Sequence, residues 1–183
     1  MLLFITLPDL ARFNAETTAR WTLCDANGTV VRSAEASLAE ARTLVLNESR
    51  GSPIIALVPA GRVVFIETLL PAVSTAKRDQ LVRYAIEDKL TIDPATVHAV
   101  VLERSDAVKA GKSNGLHIVA AIDRAWFSAA LSWLHSAGFT PRAVFAETAL
   151  LPVAKGEWSI YLQSRNAPID PVSRLTRPAI ASQ

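Results

Sequence analysis

Apolar residues fall in short bursts along this chain, and the spacing within each burst sets the element it predicts. Residues 2–7 are an apolar run stopped by Pro8, the pattern of a buried strand. Residues 20–24 and 29–32 flank Asp25-Ala26-Asn27-Gly28. Asn-Gly supplies the positive-φ residues of a tight turn, so a hairpin is expected. Ser37-Leu38-Ala39-Glu40 has the capping-box form, in which the serine hydroxyl takes a backbone N–H and the glutamate reaches back. Leu38, Ala41, Leu44 and Val45 share a face of the helix this predicts, which runs to about Glu48 and stops near Gly51 and Pro53. Residues 54–58 and 63–70, around Pro59-Ala60-Gly61-Arg62, read as a second hairpin.

Further along, Ser74 or Thr75 caps a helix reaching Leu90, with Leu81, Val82, Ala85, Ile86 and Leu90 as its apolar stripe. Lys77, Arg78, Arg83 and Lys89 lie off that stripe. Strands are expected at 97–102 and 116–122, joined by the polar loop 105–115. Asp123 caps a strong helix with Phe127, Ala130, Leu131 and Leu134 on one face, and Gly138 ends it. A short strand follows at 143–145, and another begins at 158–162. Residues 163–183 hold Pro168, Pro171 and Pro178 without periodicity and read as extended or disordered. Strands and helices interleave without a clean parallel βαβ series, which predicts a mixed-sheet α/β or α+β fold.

Composition narrows the function classes. The chain has 183 residues, 50% hydrophobic and 20% charged, with a net charge of +2. That length suits one domain or two small ones, and the composition excludes wholesale disorder. Near-neutral charge gives nucleic-acid binding no support. Cys24 is the single cysteine, which excludes an internal disulfide and a Cys-rich zinc site and fits a reducing compartment. A membrane-spanning helix needs about 20 apolar residues in a row. The longest apolar runs here are broken by Pro59, Gly61, Arg62 and Glu67, and the start lacks a basic leader. A soluble, cytoplasmic chain is therefore expected.

Candidate chemistry is sparse. Gly111-Lys112-Ser113 resembles the end of a phosphate-binding loop, but position 106 is Asp where that loop needs Gly, and the stretch leads into a strand. A surface loop is the better reading. His98, His117 and His135 sit on three different elements without ligand spacing, so no metal site is assigned. No Gly-x-Ser-x-Gly elbow is present, which argues against a serine hydrolase. Trp126 and Trp133 lie seven apart on one helix and read as core rather than as a base-stacking platform. Glu87 and Asp88 project about 100° apart on a helix and cannot act as facing acid and base. They are either a solvated helix end or, with Tyr84 and Lys89 beside the apolar stripe, a spot for recognising a partner.

Several of these segments together resemble the cytoplasmic region of the type II secretion system protein L family. The resemblance rests on Leu70-Pro71, on residues 81–90 reading Leu-Val-Arg-Tyr-Ala-Ile-Glu-Asp-Lys-Leu, and on Asp93 and Val97-His98. It continues through Val119-Ala120-Ala121-Ile122-Asp123-Arg124, Gly138, Pro141 and Leu150-Leu151-Pro152, and covers most of residues 54–152. The second set of motifs is shared with the pilus-assembly protein M and other actin-like relatives.

The resemblance implies an actin-like or RNase H-like mixed sheet with a small inserted subdomain. The expected division is a discontinuous lobe of residues 1–68 and 115–152, an insert of 69–114, and 153–183 as a tail or the start of a truncated second lobe. The implied role is a non-enzymatic scaffold, without cofactors, that anchors the cytoplasmic secretion ATPase (protein E) at the inner membrane. Platform proteins M and F are further implied partners, a homodimer is among the assemblies it allows, and nucleic acid is not among the partners. Tyr84, Glu87, Asp88 and Lys89 are the partner-binding candidates. Full-length family members sit on the cytoplasmic face of the inner membrane through segments absent here, so a truncated cytoplasmic piece is expected. The rival reading is an actin-like ATPase or related enzyme of the same fold. It needs a Gly-containing phosphate turn and an acidic first strand, and residues 2–17 supply neither.

Overall fold

The computed structural model describes residues 1–46, 51–71, 75–102, 114–150, 158–159 and 174–175. Strands β1 (Leu2–Thr6), β2 (Thr18–Cys24) and β3 (Val30–Ser37) form an antiparallel meander, and α1 (Leu38–Leu46) leads on to β4 (Ile54–Val58). Then come β5 (Val63–Pro71), α2 (Thr75–Glu87), β6 (Val97–Leu102) and β7 (Asn114–Asp123). Helix α3 (Arg124–Ser136) returns the chain to β8 (Ala143–Ala146). Five strands make the larger sheet in the order β3-β2-β1-β4-β8, and three make the smaller in the order β5-β7-β6. In the larger sheet β4 lies parallel to both β1 and β8. The smaller sheet is antiparallel throughout.

Local chemistry accounts for the meander and the helix starts. Gly28 takes φ +82° in the β2–β3 turn, a conformation in which a side chain would be strained. The Ser37 hydroxyl accepts the Glu40 N–H at 3.3 Å, while the Glu40 carboxylate accepts the Ser37 N–H and hydroxyl at 3.0 and 2.8 Å. That is the predicted capping box; the helix end expected near Glu48 lies outside the described residues. At α3 the Asp123 carboxylate accepts the Trp126 N–H at 2.6 Å, and Gly138, at φ +81°, follows the last turn.

One face of the larger sheet builds the main core. Leu3, Ile5 and Leu7 alternate with half-buried neighbours, and the register sets Leu3 beside Leu23 and Ile5 beside Trp21. Leu38 and Ala41 of α1 and Trp126, Ala130, Trp133 and Leu134 of α3 join the same cluster. Each fully buried large side chain such as Ile5 or Leu134 contributes about 1.5–3 kcal/mol. A second cluster sits in the small sheet, where Val82 and Ile86 of α2 pack on Ile66, Leu70, Val97, Val119 and Ala121.

Two expectations are corrected. Residues 54–58 and 63–70 do not form a hairpin. β4 is apolar at every position, which suits a strand buried on both faces, and its two edges are taken by β1 and β8. The turn after it is a 3₁₀ segment, Ala60–Arg62, and β5 pairs instead with β7. Helix α2 ends at Glu87 rather than Leu90, because Lys89 and Leu90 donate to the carbonyls of Ile86 and Glu87 and tighten the last turn. Leu90 still packs on the second cluster. Within 163–183, read as extended or disordered, β10 (Arg174–Leu175) is extended and lies antiparallel to β9 (Trp158–Ser159). The pairing also puts the whole of β5 and β7, from Val63 to Asp123, in the small sheet.

Candidate functional site

The carboxyl ends of β1, β4 and β8 converge on one end of the larger sheet, where open α/β sheets place their ligands. The segment after β1 is held there by aromatic side chains. The Trp126 indole N–H donates to the Leu10 carbonyl at 2.7 Å, and the Trp133 indole N–H to the Asn14 carbonyl at 2.9 Å. Phe13 lies between them, with ring centroids 5.7 Å from Trp126 and 5.2 Å from Trp133. Asn14 and Thr17 close the loop on itself through their side chains. Both tryptophans are thus buried, as expected, and each also has a partner for its N–H.

Charged groups finish this end. Arg62, in the turn after β4, donates to Asp9 at 2.5 Å, and its guanidinium lies 5.0 Å above the Trp126 ring. Glu147, just after β8, accepts the Ala60 N–H at 3.3 Å. Burial pushes the Glu147 carboxyl up from its ordinary range, against the lowering effects of Ala60 and Arg20. Asp9, Arg62 and Glu147 were not foreseen, since nothing local in the sequence marks residues from three separate loops as neighbours. Among the described residues no cluster of three or more metal-ligating side chains occurs. The loop 111–113 lies outside the described residues.

The other candidate is the exposed side of α2. Docking of Val82 and Ile86 turns Tyr84 outward, and it is 74% exposed. Tyr84 and Glu87 line an open groove with Gln80 and Arg83, and Asp93, Pro94 and Ala95 form its other wall. That wall is braced by the Asp93 carboxylate, which accepts the Ala95 N–H at 2.8 Å, and by the Thr96 hydroxyl on the Asp93 carbonyl at 2.7 Å. Of the four candidates, then, Tyr84 and Glu87 share the groove, while Asp88 and Lys89 do not line it. Asp88 is exposed, and the Lys89 ammonium donates to the Glu67 carbonyl on β5. Among the described residues neither Glu87 nor Asp88 makes a side-chain hydrogen bond or ion pair, so neither ties the helix end to the turn at 91–94.

The sheet order and the insertion between β4 and β8 define an actin-like, RNase H-like architecture. Among solved structures, the cytoplasmic domain of EpsL, an inner membrane component of the type II secretion system of Vibrio cholerae, matches with a TM-score of 0.64 at 19% identity. The match covers 96% of this chain and 71% of that one. A chain of the PilM–PilN type IV pilus biogenesis complex matches with a TM-score of 0.54 at 16% identity, over 80% of this chain and 47% of that one. Residues 5–166 match the family described as type II secretion system (T2SS), protein L. The chain belongs to that family and is a component of the type II secretion system. No curated protein matches it. No helix among the described residues is long and apolar enough to cross a membrane.

Proposed function

We propose that this chain is a non-enzymatic scaffold that holds the cytoplasmic secretion ATPase at the inner-membrane platform. The observation that carries the reading is the family match over residues 5–166. The chemistry of the sheet end supports the non-enzymatic part. Where an actin-like ATPase would present a glycine turn to phosphates, this chain places Phe13 and two indoles. Those indoles also hold the loop by donating to the Leu10 and Asn14 carbonyls. On this reading Tyr84, Glu87, Asp88 and Lys89 belong to the contact surface, with Lys89 acting by fixing the helix end to β5. Proteins M and F are further contacts on the platform. Co-purification of the chain with the cognate secretion ATPase tests the proposal; stable capture is expected. Failure to capture it in both low and moderate salt would remove the ATPase as partner, because rim charges steer association in a salt-dependent way.

A further inference from the structure

We infer that the outer face of the small sheet is an interface between two copies of this chain, packed face to face with their strands crossing near a right angle. Side chains alternate across a strand, so each strand here turns one set towards α2 and the other away from it. Ile66, Leu70, Val97, Val119 and Ala121 are inward and form the second core cluster. On an antiparallel sheet with one face in water, the outward set is ordinarily polar. Here it is Phe65 and Leu69 on β5, Ile118 and Ala120 on β7, and Val100 and Leu102 on β6, and the four on the edge strands are exposed. A contiguous exposed apolar face marks an interaction surface. Between the rows of Val63 and Leu69, the polar side chains on this face among the described residues are Glu67 and His98. Neither the Glu67 carboxylate nor the His98 ring nitrogens make a hydrogen bond or ion pair among the described residues. The His98 ring stacks on Phe127 at 5.2 Å.

The register makes this face complementary to itself. Phe65, Ala120 and Val100 form its middle row. Glu67 stands one row to one side on β5, and His98 one row to the other side on β6, so the two lie on a diagonal through Ala120. A two-fold axis over Ala120, perpendicular to that diagonal, sets Glu67 of each copy against His98 of the other, as an isologous interface requires. Strands lie about 4.8 Å apart and outward residues about 6.8 Å apart along a strand, so the two side chains meet with a sideways offset of about 3 Å. Packed sheets are about 10 Å apart, a gap that a glutamate from one side and an imidazole from the other can close. This axis crosses the strands at about 90°, one of the two classes of sheet packing. The aligned class would set Glu67 against Leu102 or Val63 of the second copy and bury a carboxylate without a partner, which is costly. The small side chain of Ala120 sits on the axis and leaves room for Phe65 of the other copy beside it. The face measures about 15 by 20 Å, well below the ~800 Å² per partner of a standard interface, so the dimer is weak and depends on concentration. It lies on the opposite side of the sheet from α2, which leaves Tyr84 and the groove open.

Sedimentation velocity of the whole chain, from about 1 μM to about 1 mM, tests the interface. The parent is expected to move from monomer towards dimer across that range. Glu67→Lys removes the acceptor from both contacts, and His98→Glu sets two carboxylates together at each. Each variant alone is expected to weaken self-association about tenfold or more. An equimolar mixture of the two restores it, because the introduced lysine of one chain then faces the introduced glutamate of the other, and the second contact is native. Val100→Asp, in the middle row, weakens association as well, and Tyr84→Ala, on the α2 side, leaves it unchanged. Thermal melts establish which variants fold; where His98→Glu does not, Glu67→Lys and Val100→Asp carry the test. A parent that stays monomeric throughout the range, or association indifferent to Glu67→Lys and Val100→Asp, overturns the interface. Losses in both single variants without recovery in the mixture overturn the crossed arrangement. No arm uses the secretion ATPase, so failure here leaves the scaffold reading standing.

Discussion

Glu147 shows what one side chain does to the pH dependence of this fold. Burial is the largest influence on its carboxyl and raises it; the Ala60 N–H and Arg20 oppose this, and Asp9 adds to it. A carboxyl raised in the folded state binds protons better folded than unfolded. Stability therefore falls as pH climbs from the ordinary value of 4.5 towards the raised one. Glu147→Gln keeps an acceptor for Ala60 and removes the charge. It is expected to melt above the parent at pH 7, with the gap closing below pH 4.5, as thermal scans at the two pH values would show. A lower midpoint at pH 7 would mean that attraction to Arg20 outweighs the burial. Ser37 makes a simpler case. Its hydroxyl and N–H hold the Glu40 carboxyl below the usual range and start α1. Ser37→Ala should cost about 1 kcal/mol, read as a lower urea midpoint at unchanged slope.

Among the elements, α3 joins the core to the loop after β1. Leu134 is fully buried and Leu131 only half so, on the same helix face. Leu134→Ala is expected to lose about 2–5 kcal/mol in denaturant melts and Leu131→Ala clearly less. Equal losses would mean that the face is more uniformly packed than the exposures imply. The caps of α1 and α3 and the Asn-Gly turn were legible in the sequence because their causes lie within four residues. The partners of β4 were not: an apolar pentapeptide fits a hairpin or a central parallel strand equally well, and only β1 and β8, far away in the chain, decide. The same limit governs the candidate site. Spacing alone put Tyr84 and Glu87 outside the stripe of α2. The Asp93–Ala95 wall and the capture of Lys89 by Glu67 depend on how the small sheet pairs, which no local pattern records.

For the whole molecule, the closed end of the larger sheet predicts indifference to nucleotide. A ligand present at 100 times its dissociation constant stabilises by about 2.7 kcal/mol. For a chain of this size that would raise the melting midpoint by roughly 5–10 °C. No such rise is expected with Mg-ATP in a thermal scan, and a clear one would sink the non-enzymatic reading.

The pairing of Val63 with Ile122 has a mechanical consequence. The small sheet leaves and rejoins the larger one through adjacent strands, so the covalent path between them is a two-strand stem, braced by the Arg124 guanidinium on the Val97 carbonyl and by His98 against Phe127. A pull along that stem loads both strands in the same direction, held side by side by nine registered residue pairs from Val63 with Ile122 to Pro71 with Asn114, whereas a pull that parts the two strands peels those pairs one after another. A partner seated on α2 that tugs along β5 would meet a stiff strut. The same partner tugging sideways would meet a hinge, so the direction of the pull decides which of the two the stem is.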